Sequence, residues 1–166
     1  MRLLVNAGHT KLGVGQGAVG LLTESVETRK IAYELMKRLS DTDIEVIPAV
    51  FDKTTNNLKQ AVNLSNENIA DLFISIHLNA GGGNGSEIYT WKGNQSDRAL
   101  KILKNLSAIG FKNRGIKDGS GLYVIKNTKS EAILIEVCFV DSEEDNRIFR
   151  QVGYEAIAKA IVNAIK

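Results

Sequence analysis

The sequence predicts a single α/β domain, built on a largely parallel or mixed, twisted sheet of about six strands flanked by helices. Short apolar runs alternate along the chain with segments in which apolar residues recur at helical spacing. The chain has 166 residues, of which 43% are hydrophobic and 24% charged, and this length and composition suit one packed core. No internal repeat or Pro/Ser-rich linker divides the sequence, so we expect one domain over residues 1–166.

The predicted elements follow in a regular order. Residues 2–6 are predicted as the first strand, and residues 24–39 as a helix, because Ile31, Leu35 and Leu39 lie on one helical face. A strand at 44–50 and a weaker helix at 56–69 precede an apolar strand at 71–76. Beyond a glycine-rich loop we expect a strand at 86–91, a helix at 96–109, strands at 122–125 and 132–140, and a closing helix at 154–165. Strands that alternate with helices favour a largely parallel sheet.

Composition excludes several classes of protein. The single cysteine, Cys138, cannot form an internal disulfide or a cysteine-built metal site, so any metal must be held by His, Asp and Glu. The 21 basic and 19 acidic residues lack the clustered Lys/Arg stripe that is typical of a nucleic-acid binder. The start of the chain does not read as a signal peptide, and no segment reaches the about 18 apolar residues of a membrane span. We therefore expect synthesis in the cytoplasm, no nucleic-acid partner and no membrane insertion.

A glycine-rich tract raises the possibility of nucleotide binding. Residues 15–20 read GQGAVG, which matches the dinucleotide pattern GxGxxG, and they precede a predicted helix. In dinucleotide-binding folds, however, the first glycine lies in the tight turn that leaves the first strand, whereas Gly15 comes nine residues after Asn6. We favour a loop that borders a site, and a nucleotide-binding oxidoreductase is the less favoured alternative.

The only two histidines, His9 and His77, both follow the end of a predicted strand. Ligands of open α/β sheets bind at the carboxyl ends of strands, so both rings are expected at the same edge. A catalytic zinc site needs three protein ligands and one open position. Glu24 is a candidate for the third ligand. A glutamate in the first helical turn also complements the helix dipole, and Glu27 fits that structural role equally well.

Glu136 interrupts the most apolar of the predicted strands. Loss of its hydration costs several kcal/mol unless a cation or a hydrogen-bond donor compensates. Such a carboxyl group suits a general base and acid beside a metal-activated water, and the structural alternative is a buried salt bridge to Arg or Lys. Cys138 is two residues further on and is expected on the same strand face, so a Cys/His nucleophile pair is another alternative, although buried cysteines more often act as small apolar residues.

Four segments occur along the chain in a specific order. They are Gly8-His9, the run from Gly17 to Glu24, Ser75-Ile76-His77-Leu78-Asn79-Ala80, and the run from Leu134 to Val140 followed by Glu144-Asp145. Together these segments resemble the zinc-dependent N-acetylmuramoyl-L-alanine amidases of bacterial autolysins, spore-lysis enzymes and phage endolysins. The resemblance covers the whole chain, and the order and spacing of the four segments make it specific.

The resemblance implies one Zn²⁺ per chain, held by His9, Glu24 and His77, with Glu136 as the catalytic acid and base. It also implies that the substrate is peptidoglycan, cut at the amide between N-acetylmuramic acid and the first L-alanine of the peptide stem. We accordingly expect residues 1–166 to be an amidase catalytic domain without a separate wall-binding domain, a monomer that acts on the cell wall after release, as a phage endolysin or other bacterial lysin. A non-catalytic glycan-binding module is the alternative from another class.

Overall fold

In the computed structural model, which describes residues 1–12 and 15–166, six strands form one mixed sheet. The strands are β1 (Arg2–Ala7), β2 (Glu45–Ala49), β3 (Leu72–Asn79), β4 (Ser86–Thr90), β5 (Asn113–Asp118) and β6 (Glu131–Phe139). Their spatial order is β2-β1-β3-β6-β4-β5, in which the first four are parallel, β4 is antiparallel to β6, and β5 is parallel to β4. The predicted class, an α/β domain with a mixed sheet of about six strands, is confirmed.

Helices cover both faces of the sheet. They are α1 (Glu24–Leu39), α2 (Asn57–Glu67), α3 (Asp97–Ala108), α4 (Tyr123–Asn127) and α5 (Glu143–Ile165). The larger core lies on the face covered by α1, α3 and α5, and the smaller core lies under α2 and α4. Successive strand residues point to opposite faces, so Leu134 packs in the smaller core and Ile135 in the larger one. None of the described helices is long and apolar enough to cross a membrane.

Between residues 110 and 127, one predicted strand is wrong and one observed strand was not predicted. The apolar run 122–125 is not a strand, because Tyr123–Asn127 forms α4 and buries Val124 and Ile125 in the smaller core. A run this short carries no period that separates a strand from a buried helical turn. The missed strand is β5, whose sequence NRGIKD is mostly exposed at the edge of the sheet and therefore lacks an apolar pattern. The closing helix is also longer than predicted and contains a break at Gly153, where φ is 73°.

A bulge in β6 corrects the predicted orientation of Cys138. His77 pairs with Glu136, but Asn79 pairs with Phe139, so β6 has one more residue than β3 in this stretch. The extra residue places Cys138 in the larger core, away from the face that carries Glu136. Burial raises the pKa of the Cys138 thiol well above its usual value, which opposes formation of a nucleophilic thiolate. The Cys/His alternative is therefore not supported.

Two carboxylates near the start of α5 hold the glycine-rich loop that follows β3. Asp145 is buried and accepts hydrogen bonds from the N–H groups of Gly85 and Phe139, both at 2.8 Å. Asp141 is exposed and accepts from the N–H groups of Gly81 and Gly82, both at 2.9 Å. The loop is therefore fixed to the residues that follow β6, the strand that carries Glu136.

Asp145→Ala is expected to lower the free energy of unfolding by about 2 kcal/mol, because it leaves two buried N–H groups without an acceptor. Asp141→Ala is the matched control. Its N–H partners are exposed to water, so the expected loss is about 0.5 kcal/mol. Urea denaturation of both variants measures the difference, and equal losses would contradict the role assigned to the buried carboxylate.

Candidate metal centre

His9, Glu24 and His77 meet at the carboxyl edge of the sheet, and one ligand atom from each lies within 4.8 Å of the others. His9 lies two residues after β1, as predicted, whereas His77 lies within the neighbouring parallel strand β3, which extends to Asn79 instead of ending before His77. Glu24 is the first residue of α1. Glu27 lies outside this cluster and pairs with Lys30 at 2.9 Å. The structure thus brings together the three residues that the resemblance implies as ligands.

The Glu24 carboxylate is the centre of the cluster and is only 3% exposed. Its Oε1 lies 3.0 Å from His77 Nδ1 and accepts from the Leu78 N–H at 3.1 Å. Its Oε2 accepts from the Ala18 N–H at 2.8 Å and lies 3.3 Å from His9 Nε2. Burial by itself would raise the pKa of Glu24, but the hydrogen bonds from His77 and Ala18 and the charges of both histidines outweigh it and lower the pKa. The group is therefore a carboxylate.

The hydrogen-bond network assigns the tautomer of His77. Asn6 Nδ2 donates to the Ala49 carbonyl at 2.8 Å, so Asn6 Oδ1 is free to accept from Ser75 Oγ at 2.7 Å. The Ser75 oxygen in turn accepts from His77 Nε2 at 3.0 Å. Nε2 is therefore the protonated nitrogen of the neutral ring. Nδ1 faces Glu24 Oε1, to which it donates a hydrogen bond when the ring carries a second proton, and it offers a lone pair to a metal ion otherwise.

His9 is fixed in the same manner from the other side. Its Nδ1 donates to the Gly15 carbonyl at 3.1 Å, which leaves the Nε2 lone pair facing Glu24 Oε2. Its backbone has a φ of 63°, unusual for a residue other than glycine, and the buried Arg29 side chain donates to the His9 carbonyl at 3.2 Å. Burial lowers the pKa of His9, which favours the neutral ring that binds metals.

Two ring nitrogens directed at one carboxylate leave a place for a cation between them. Burial would lower the pKa of His77, but its hydrogen bond to Glu24 and the charges of Glu136 and Glu24 outweigh burial and raise it, which favours a proton at this place when no metal is bound. Two imidazoles and a carboxylate are a donor set that Zn²⁺ takes in catalytic sites. Ser75 and the Gly15 carbonyl supply the outer hydrogen bonds that orient such ligands. These residues therefore fit a zinc ion.

Two glycines make room for the cluster. A Cβ atom on Gly8 would lie 2.5 Å from the His77 ring, and one on Gly17 would overlap Glu24 Oε2 and lie 2.7 Å from the His9 ring. Gly17 also has a φ of 78°, which glycine adopts readily. The tract 15–20 thus packs around the metal ligands, and this placement supports the interpretation as a site-bordering loop over the nucleotide-binding one.

Glu136 lies next to the cluster, paired with His77 across the ladder between β3 and β6. It faces a cavity of about 300 Å³ between α2 and α4, lined also by His9, Leu58, His77, Asn79, Tyr89, Leu122, Tyr123, Val124 and Leu134. Its Oε2 is buried without a hydrogen-bond partner, and no Arg or Lys of the described chain pairs with it, so the salt-bridge alternative is not supported. Burial raises the pKa of Glu136 to about 7, in the range of a general base.

Sequence reasoning missed a second acidic residue beside Glu136. Glu87 on β4 pairs with Glu136 across the antiparallel ladder, so their side chains share one face of the sheet. Glu87 is 5% exposed and accepts from Arg114 Nε at 2.7 Å, Tyr89 OH at 3.1 Å and Asn79 Nδ2 at 3.3 Å. Arg114 compensates its charge. The sequence did carry a signal for Glu87: along β4 the polar Glu87 and Tyr89 alternate with the apolar Ile88. Because Ile88 packs in the larger core, the two polar side chains lie on the opposite face.

Gly8→Ala is expected to weaken zinc binding by at least about tenfold, because the added methyl group displaces the His77 ring from Glu24. Gly121→Ala is the control, since a Cβ atom there meets open space. Zinc affinities measured by competition with a chelator compare the two variants, and unchanged affinity in Gly8→Ala would contradict the assigned ring position.

Comparison with known proteins identifies the family of the chain. The family model described as N-acetylmuramoyl-L-alanine amidase matches residues 3–166. An uncharacterized protein of Clostridium perfringens is 36% identical over 99% of this chain and 51% of its own length. The N-acetylmuramoyl-L-alanine amidase CwlM of Bacillus licheniformis is 28% identical over 99% of this chain and 67% of its own length.

A solved structure shows the same architecture. The catalytic domain of the CD27L endolysin, which targets Clostridia difficile, superposes with a TM-score of 0.86 at 30% identity and covers 99% of this chain and 96% of that one. The chain spans about half the length of the first curated relatives that it matches, since each match covers 51% of the relative's own length. The match over almost all of its residues shows that the chain belongs to the N-acetylmuramoyl-L-alanine amidase family.

Proposed function

We propose that residues 1–166 form a zinc-dependent catalytic domain that hydrolyses the amide between N-acetylmuramic acid and L-alanine in peptidoglycan. The observation that carries this proposal is the cluster of His9, Glu24 and His77, in which two ring nitrogens face one buried carboxylate. Glu136 lies beside this cluster in an open cavity, as the acid and base of such a reaction must. Family membership supports the identity of the scissile bond.

His9, Glu24 and His77 would hold the zinc ion, which would act as a Lewis acid on the scissile carbonyl and on the attacking water. The Glu136 carboxylate accepts a proton from the attacking water and returns it to the nitrogen of the leaving amine. Its unpartnered Oε2 is available for this transfer. Both histidines serve as ligands, so proton transfer depends on Glu136 alone.

The proposed setting is the bacterial cell wall, where the domain acts as an endolysin or other bacterial lysin. The similarity to the CD27L catalytic domain supports this setting. Peptidoglycan is then the partner, and we keep a monomer as the working assembly, since a single chain supplies all four residues of the proposed mechanism.

Metal analysis tests the ligand set. The purified protein is expected to contain about one zinc per chain, and His77→Ala is expected to lose most of it because only two ligands remain. Glu27→Gln, a change one helical turn from Glu24 and outside the cluster, is the control that should keep full occupancy. Full activity in protein stripped of zinc would contradict the proposal.

Glu136→Gln tests the proton-transfer role separately. The variant is expected to keep its zinc and to lose activity by about 100-fold or more, because the amide cannot accept the proton of the attacking water. Stem-peptide release from purified cell walls gives the rate. Unchanged turnover in this variant would show that Glu136 is not the acid and base.

The products identify the bond that is cut. Mass spectrometry of digested walls is expected to find stem peptides that begin with L-alanine. New reducing sugar ends would indicate a glycosidase, and intact walls with bound protein would indicate a non-catalytic glycan-binding module.

A further inference from the structure

A second cavity lies on the other side of α4, at the end of the sheet where β6 begins and β4 ends. Its volume is about 670 Å³, against about 300 Å³ for the cavity beside Glu136. Val124 lines the catalytic cavity, whereas Ile125 and Lys126 line the second one. Its lining includes Glu131, which precedes Glu136 by five residues on β6. At about 3.3 Å per strand residue, the two glutamates are separated by roughly 16 Å along the strand. The mechanism above uses no residue of this second cavity.

The rim of the second cavity is positively charged. Lys92, Lys126 and Lys129 line it, and within the described chain no ion pair involves any of the three. The carboxylate on the floor, Glu131, is already paired with Arg98 at 2.8 Å. Asp118 lies near Lys92 and offsets part of its charge. Lys126 and Lys129, both exposed, therefore remain available to an anionic ligand.

An aromatic ring lies beside these lysines. Trp91, the only tryptophan of the chain, is 46% exposed and lines the cavity. It begins a single helical turn, Trp91–Gly93, in which Lys92 has a φ of 52°. Such a backbone conformation is unfavourable for lysine and is found where surrounding structure or function maintains it. Lys92 Nζ lies over one side of the ring, 5.9 Å from its centroid, and the remaining exposed surface of the ring is apolar and can stack on the face of a sugar.

The floor of the cavity is polar and incompletely hydrogen bonded. Thr128, Ser130 and Glu131 each have a buried side-chain oxygen without a partner. Buried oxygens of this kind are uncommon in folded proteins, and three in one short segment make this part of the cavity wall unusually polar.

We propose that this second cavity binds a peptide-free glycan strand that carries free carboxylates. The choice of this ligand rests on the proposed function. Hydrolysis of the lactyl amide adds water across the C–N bond, so the acyl carbon becomes a carboxylate and the nitrogen leaves as the amine of the stem peptide. The product strand thus gains one negative charge on each sugar from which a stem peptide is released, because a carboxylate replaces an uncharged amide. Lys126 and Lys129 pair with these carboxylates, and Trp91 stacks on a sugar ring.

Fluorescence of Trp91 tests this directly, because no other tryptophan contributes to the signal. The titration uses zinc-loaded Glu136→Gln protein, in which cleavage cannot interfere, and peptide-free glycan strands as the probe. We expect a saturable change in emission. The double variant K126Q/K129Q is expected to bind roughly tenfold more weakly, and strands whose carboxylates have been converted to amides should show a similar loss.

Matched controls separate this site from general charge. K104Q/K159Q removes two exposed lysines from α3 and α5, which cover the sheet face opposite α4, and should bind strands with unchanged affinity. K126Q/K129Q should cut a short soluble muropeptide at the normal rate, since neither lysine lines the catalytic cavity. Calorimetry should show weaker binding by Trp91→Ala.

Four results would overturn the site: no saturable binding, unchanged affinity in K126Q/K129Q, equal affinity for the amidated strands, or equally tight binding of polyphosphate, which has no sugar ring. The two proposals fail separately. If the unmodified protein bound strands but did not cleave the amide, the proposed function would be wrong and the second site would stand. If it cleaved the amide but bound no strands, the second site would be wrong and the proposed function would stand.

Discussion

The contacts of the Glu24 carboxylate hold the candidate site together. Four groups from three parts of the chain converge on its two oxygens: the N–H of Ala18 before α1, His9 after β1, and both the ring of His77 and the N–H of Leu78 on β3. The carboxylate is buried, so each of these contacts is made without competition from water. Loss of the carboxylate would leave the buried Leu78 N–H and the half-buried Ala18 N–H without an acceptor, and His9 Nε2 and His77 Nδ1 without a partner. The position of α1 on the sheet is thereby coupled to the metal centre.

Strand order explains why Glu136, the proposed acid and base, lies next to this cluster. β1, β3 and β6 are neighbours and parallel, so their carboxyl ends bring His9, His77 and Glu136 to one edge. The antiparallel β4 then places Glu87 opposite Glu136, where two carboxylates would repel each other. Arg114 offsets the charge of Glu87, while no Arg or Lys among the described residues pairs with Glu136. Glu87 is therefore the carboxylate whose charge is compensated, and Glu136 is the one whose Oε2 remains without a hydrogen-bond partner.

The central strands and the main site residues could be predicted from the sequence because their signals are local. Strands buried on both faces appear as continuous apolar runs, and a glutamate within such a run is conspicuous. The exposed edge strand β5 and the short helix α4 carry no such signal, and the orientation of Cys138 depends on a bulge that no pattern shows. Spacing alone left Glu24 and Glu27 equivalent, and the resemblance distinguished them. Glu87 and Arg114 meet only through pairing between distant strands.

Anomalous diffraction at the zinc absorption edge, on crystals grown with zinc, shows whether the cluster binds the metal. One strong peak is expected, bonded to His9 Nε2, a Glu24 oxygen and His77 Nδ1, with zinc–nitrogen distances of about 2.0–2.1 Å, and with Glu136 beside the metal but not bonded to it. A peak at other residues, or the absence of any peak in this cluster, would contradict the proposed metal centre. Bonding through His77 Nε2 would contradict the tautomer that Ser75 and Asn6 impose.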